Sequence, residues 1–179
     1  MAAGDLTTVA NVQSSLGGNA GAQDTVLLGR LVTAVSAYIV SYLSRPILSG
    51  PQVYRANGTF AQAGFQLPFL PVTAVASVTV DGIPSTDFSW TPEGVLVVND
   101  LTITKGWGNV VVSYTAGFAA TPPEIEQVAI EMVALKYRER SRVGEVSKQV
   151  GGETISFFAG DIPANAKLIL GEYRRLVPA

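Results

Sequence analysis

The sequence predicts an α+β protein: a helical bundle with an inserted small antiparallel β-sandwich or barrel and an extended hairpin arm. Three observations carry that reading. Apolar residues recur at helical spacing near both ends of the 179-residue chain. From Gly50 to Gly117 the period changes to that of short strands punctuated by turn residues. A Gly151-Gly152 pair then splits an extended stretch that lies between two helices. The expected division is a helical part at 1–49 and 118–179, an arm at 143–160 within it, and a β insertion at 50–117.

The stretch from Thr121 to Phe158 organises the chain. Thr121 is a natural helix cap, Pro122 fits the first helical position and Glu124 completes a capping box. Ile125, Val128, Ala129, Met132 and Leu135 follow at helical spacing, and Ile130, Val133 and Ala134 fill much of the opposite side. A helix apolar nearly all round is covered on most sides, so this one is expected at the centre of the bundle. Past Leu135 it becomes K-Y-R-E-R-S-R, a charged end that reaches outward.

Ahead of it, Thr8 caps a short helix with Val9, Val12 and Leu16 on its apolar face, ended by Gly17-Gly18. Asp24 caps a second helix, whose stripe is Leu28, Leu31, Val32, Val35, Ile39, Tyr42 and Leu43; Pro46 ends it. In the β region Asn57-Gly58 and Asp81-Gly82 are hairpin turn pairs. Strands are expected around Val75 to Val80, Phe88 to Trp90, Val95 to Val98, Leu101 to Ile103 and Val110 to Tyr114. Asp161 or Pro163 opens the last helix, with Ile162, Ala166, Ile169, Leu170, Tyr173, Leu176 and Val177 on one side and Arg174 and Arg175 in its final turn.

Composition narrows the chemistry. With no cysteine and no histidine, the chain has no disulfide, no Ser-His-Asp or Cys-His catalysis and no ordinary zinc site. No phosphate-cradling G-x-x-x-x-G-K-[ST] occurs, and Gly106-Trp107-Gly108 lacks the third glycine of a dinucleotide fingerprint, so it reads as a turn. Asp81, Asp87, Glu93 and Asp100 sit beside turn signals, where turn chemistry accounts for them better than a hydrolytic carboxylate pair. The expectation is a protein that is not an enzyme and takes no cofactor or metal.

Only 15% of the residues are charged against 47% apolar, which points to a surface partly covered by other chains. The start M-A-A-G-D-L lacks a secretion signal, and the best membrane candidate, Leu31 to Leu43, reads as too short to span; a soluble protein made in a cytoplasm is expected. The formal charge of −2 is uneven: residues 1–135 hold four Lys/Arg and nine Asp/Glu, residues 136–179 eight and five.

Two features carry functional weight. Lys136, Arg138, Arg140 and Arg142 form a basic run that can face phosphate, with a solvated helix end as the plainer account; such binding would be salt-sensitive and blind to sequence. The arm presents Val146, Val150, Ile155, Phe157 and Phe158, and an isolated two-stranded hairpin is marginal in water, so a neighbouring chain is expected to cover it. The exposed aromatic pair Tyr137 and Tyr173 reads as a simple core edge and is given no function.

In three pieces the chain resembles the head–tail connector (adaptor, or head-completion) proteins of tailed bacteriophages. The first is the opening pair of helices ending Tyr42-Leu43-Ser44-Arg45-Pro46. The second is Pro122-Pro123-Glu124-Ile125 through E-M-V-A-L-K-Y-R-E-R. The third is S-R-V-G-E-V-S with G-G-E-T-I-S-F-F, closing on L-G-E-Y-R-R. Together these cover about the helical two thirds of the chain. The resemblance implies a virion protein assembled in the host cytoplasm: a non-enzymatic ring, commonly of twelve copies, bound beneath the portal. Double-stranded DNA would pass through it, without sequence preference, and a tail or stopper protein would sit below; no membrane is involved. The arm would then face a neighbouring subunit or the portal, and the basic run the DNA. The β block exceeds what all-helical members need. The contrasting class is a β-rich binding or decoration module carried on a helical base.

Overall fold

The structure, a computed structural model, describes residues 4–17, 24–60, 64–140 and 162–174, with the strands at 147–150 and 153–156 described as backbone. The chain divides into two compact units, Met1–Ser44 with Thr121–Arg174, and Arg45–Ala120 with Arg175–Ala179.

The first unit is helical: α1 (Val9–Ser15), α2 (Thr25–Leu43), α3 (Pro123–Glu139) and α4 (Ala164–Tyr173), with β8 (Ser147–Val150) and β9 (Glu153–Ser156) between α3 and α4. Thr8 caps α1, its hydroxyl accepting from the Asn11 N–H at 3.1 Å. In α2 the residues Leu28, Val32, Val35, Ile39 and Leu43 are buried, as the stripe requires. Ser36 is buried beside them because its hydroxyl accepts the Leu6 N–H at 2.9 Å. Ser44, in the left-handed region at φ 53°, stops α2 before Pro46 is reached. The segment that seemed too short to span is part of a 19-residue helix, long and apolar enough to cross a bilayer by length and composition. Here the stripe of that helix builds the core of the unit.

In α3, Ile125, Val128, Ala129, Ile130, Met132, Val133, Ala134 and Tyr137 are buried. Its start differs from the expected capping box. Pro122 is the cap residue and Pro123 opens the helix, with no side-chain cap. The tandem proline is the reason: a residue before proline avoids helical geometry, and Pro122 is extended at ψ 137°. The first-turn carboxylates thereby serve other helices. Glu126 accepts from Asn11 Nδ2 at 2.7 Å and from the Thr7 hydroxyl at 3.2 Å, and Glu124 accepts from the Tyr173 hydroxyl at 3.2 Å. Asp24 stands at the cap position of α2 but makes no side-chain cap bond; its carboxylate accepts from the Tyr137 hydroxyl at 2.5 Å. Tyr173 is half-buried, as a core edge would be, whereas Tyr137 is buried. The last helix starts after Pro163 and buries Ala166 and Leu170; Arg175, Leu176 and Val177 lie outside the described residues.

The second unit holds two antiparallel sheets and is not closed into a barrel. One runs in the order β1 (Gly50–Gly58), β7 (Gly106–Ala116), β3 (Val72–Val80), β4 (Ile83–Pro84). The other runs β2 (Gly64–Gln66), β6 (Val95–Val98), β5 (Phe88–Trp90). Phe65, Leu96 and Val98 of the smaller sheet share a core with Val78, Val80, Val110, Val112 and Tyr114 of the larger. The turn pair at 81–82 behaves as expected: Val80 pairs with Ile83 across Asp81 at φ 53° and Gly82 at φ 81°, the positive pair of a two-residue hairpin. The pair at 57–58 does not turn the chain into a following strand. It ends β1, whose partner is the distant β7. Gly58 is needed there for close approach, since a Cβ would lie 2.3 Å from the Thr104 carbonyl oxygen.

Burial on this scale makes α3 the costliest helix to disturb. Met132 is 1% exposed, so Met132→Ala is expected to lose about 2–5 kcal/mol of unfolding free energy in urea titration. A loss below about 0.5 kcal/mol, well under that range, would place the helix at the periphery.

Candidate interface surfaces

The basic run begins within the last turn of α3, where Lys136 and Arg138 also complement the negative end of the helix dipole. Both are exposed. Arg140 is already engaged: its guanidinium lies 3.8 Å from the centroid of the Tyr137 ring and donates to the Tyr137 carbonyl at 2.7 Å. The hydrogen bond to Asp24, followed by burial, raises the Tyr137 hydroxyl above its ordinary value. Tyr137 thus joins the two longest helices while its ring carries Arg140. Arg142 lies outside the described residues, so the structure brings together three of the four cations singled out from the sequence.

Of the arm, β8 and β9 form a two-stranded antiparallel sheet with Val150 opposite Glu153 and Lys148 opposite Ile155. Val150 and Ile155 stand at those register positions. Val146, Phe157, Phe158 and the Gly151-Gly152 turn fall outside the described residues.

The carboxylates of the β unit are structural. Asp100 accepts from the Ser85 hydroxyl at 2.5 Å, the Thr86 N–H at 2.6 Å, the Thr86 hydroxyl at 3.0 Å and the Asp87 N–H at 3.1 Å. These donors, the Ser85 hydroxyl foremost, hold its carboxyl well below the usual carboxylate range. A group so held stays ionised and cannot supply a proton near neutrality. Asp81 accepts from the Thr104 hydroxyl at 2.5 Å and from Asn109 Nδ2 at 3.2 Å, and Asp87 accepts from Asn99 Nδ2 at 3.1 Å. In the same unit Arg45 is half-buried and donates to the Leu70 carbonyl, and burial lowers its pKa.

Sequence reasoning missed the apolar residues that the β unit leaves in water. Trp107 is 93% exposed, Phe60 73% and Val53 67%. Gly106-Trp107-Gly108 is the start of β7 rather than a turn outside it, and the Gly108 N–H donates to Asn57 Oδ1 at 2.7 Å. The signal was present in the flanking glycines, which bring no side chain to cover the indole. For Val53, strand alternation at Tyr54 and Ala56 puts it on the outer face.

The β unit thus spends its carboxylates on holding turns and leaves several large apolar side chains exposed. Residues 5–176 of the 179 are matched by the model of a protein family described as "Head completion protein". The chain belongs to that family. No curated protein matches it by sequence. Among solved structures it is similar to a chain in the neck of an empty gene transfer agent particle computed with C6 symmetry. That likeness has 18% identity and a TM-score of 0.65, and covers 100% of this chain and 94% of the other. A chain in the neck of the native particle computed with C12 symmetry is similar at 16% identity and a TM-score of 0.61, with the same coverage of 100% and 94%. A chain in the virion of the native gene transfer agent particle is similar at 18% identity and 0.63, again covering 100% and 94%. At such identities the likeness shows a shared fold.

Because the Asp100 carboxyl has a lower pKa folded than unfolded, its contribution is complete above about pH 4 and is lost as the pH falls toward the native value. Asp100→Asn is expected to lower the melting temperature at pH 7. The gap from the unaltered protein should narrow as the pH drops below about 4. Equal melting at pH 7 would show that the 85–87 turn does not depend on the charge.

Proposed function

We propose that this chain is a structural head–tail connector subunit of a phage-like particle. Copies of it, twelve in the reading that the resemblance implies, form a ring under the portal that joins the head to the tail or stopper protein and lets double-stranded DNA pass. It works in the virion, after assembly in the host cytoplasm, and has no catalytic step. The observation that carries this reading is the family match across residues 5–176. The symmetric particle necks in which similar chains were solved, with C6 and C12 symmetry, support the ring. The low charge and the exposed apolar residues support extensive contact with other chains.

In this reading the arm residues Val146, Val150, Ile155, Phe157 and Phe158 meet a neighbouring subunit or the portal. Burying such side chains is worth roughly 1.5–3 kcal/mol each, which an isolated hairpin cannot recover within itself. Phe157→Ser with Phe158→Ser should leave the melting of the isolated chain nearly unchanged and abolish ring formation or portal docking in sedimentation velocity. Unfolding of the isolated chain would instead assign both rings to its own core.

Lys136, Arg138, Arg140 and Arg142 are proposed to face DNA. Replacing Arg138, Arg140 and Arg142 by Gln should leave assembly intact, weaken DNA binding and flatten its dependence on salt. Because Arg140 is already stacked on Tyr137, most of the effect should come from Arg138 and Arg142. Unchanged DNA binding would return the run to a solvated helix end.

A further inference from the structure

The β unit gathers its most exposed apolar side chains at one end of the larger sheet. Gly58 at the end of β1 pairs with Gly106 at the start of β7. Phe60 and Trp107, 73% and 93% exposed, follow within two residues of that register position. The hairpin joining β3 to β4 reaches the same end. Val80 pairs with both Val110 and Ile83, and the Asp81 N–H donates to the Asn109 carbonyl at 2.8 Å. Ile83 there is 58% exposed. Asn57, Asp81, Thr104 and Asn109 tie these segments to one another by hydrogen bonds. With about 150–250 Å² on an aromatic side chain, Trp107 and Phe60 alone offer roughly 250–400 Å² of apolar surface. That is the size of the largest patch on an ordinary single chain, and up to about half of what each partner gives to a stable interface. Lys105, two residues before Trp107, is an exposed cation at the same end.

The helical unit carries a matching surface. Among its described residues Leu168 of α4 is the most exposed large apolar one, at 77%. Glu172 is exposed one turn further along the same face. Gly171, three residues after Leu168, brings no side chain, and the space beside its Cα is open. Lys167 is exposed too, but stands about 100° around the helix from Leu168. We propose that in the assembled ring the Trp107 tip of one copy packs on the Leu168 face of α4 in the next, with Lys105 against Glu172. The proposal rests on the ring reading above and adds a contact that does not involve the arm. A closed ring of identical chains needs two different surfaces on every copy, each the complement of the other. Charge selects this pair. The other apolar side chain that the helical unit exposes widely is Val26 of α2, and Arg30 stands one turn from it, which would set two cations together. On the β side, Val53 with Arg55 carries the same signs as the tip, but one apolar side chain against three. Exposed ion pairs add little affinity, so the apolar contact would hold the copies and the Lys105–Glu172 pair would orient them.

The chain has no cysteine, so any cysteine introduced is the only one present. Lys105→Cys and Glu172→Cys are made in separate full-length chains, circular dichroism confirms that each folds, and a short bismaleimide is added after assembly. A mixture of the two should give a linked dimer in far greater yield than either variant alone. A double-mutant cycle provides a second readout. Trp107→Ser and Leu168→Ser, both at exposed positions, should each weaken self-association by about tenfold or more in sedimentation velocity. Because the two side chains meet in one contact, both changes in one chain should cost little more than either alone. Losses that multiply would overturn the pairing, since the two residues would then act at separate places. Rings that form normally in both serine variants, with the cysteines unlinked, would overturn the contact and leave the ring reading standing. An unaltered protein that never self-associates would overturn the two readings together.

Discussion

The helical unit depends on burying one helix on nearly every side. Ile125, Val128, Ala129, Met132 and Val133 of α3 are each at most 1% exposed. Such a helix cannot form its surface alone, and α1, α2 and α4 supply it. The polar contacts follow from that placement. Glu126 holds α1, Glu124 holds α4, and Tyr137 reaches the start of α2 through Asp24. Hydrogen bonds of this kind add little net energy each, but leaving one partner buried and unmatched is expensive, so they fix which helix sits where.

The β unit solves a different problem with short strands. β7 pairs with β1 on one side and with β3 on the other, which makes it the axis of the larger sheet. Its turns are tied down by carboxylates and amides rather than by apolar packing: Asp100 over residues 85–87, and Asp81 with Asn109 and Thr104. Polar turns of this sort leave the outer apolar residues without cover. Trp107 in particular stands beside Gly108, whose N–H donates to Asn57 Oδ1, and its indole is left 93% exposed. Tryptophan is among the residue types on which interfaces concentrate binding energy.

Much of the fold was legible in the residue pattern. The stripes of α2 and α3, the hydroxyl cap at Thr8 and the hairpin turn at Asp81-Gly82 were readable because each depends on neighbours a few positions away. The misreadings share the opposite cause. Asn57-Gly58 looks like a local turn, but its role is set by Thr104 and Asn109 about fifty residues on, across the sheet. Thr121 looks like a cap until the tandem proline shifts the helix start by one residue. Tyr137 looked exposed because its neighbours are charged, and only the fold brings Asp24 to its hydroxyl. Among the candidate interface residues, the sequence marked the cations of α3 by their spacing. It could not show that Arg140 is occupied by an aromatic ring, nor that Val53, Phe60 and Trp107 are left in water, because exposure is a property of the whole unit.

The central claim is that this chain works as a ring-forming subunit of a particle neck and not as a free monomer. Electron microscopy of the purified protein, alone and with a portal complex, tests that most directly. The account predicts closed rings, of twelvefold symmetry, or rings seated under the portal. A protein that stays monomeric at every concentration and leaves the portal bare would contradict it.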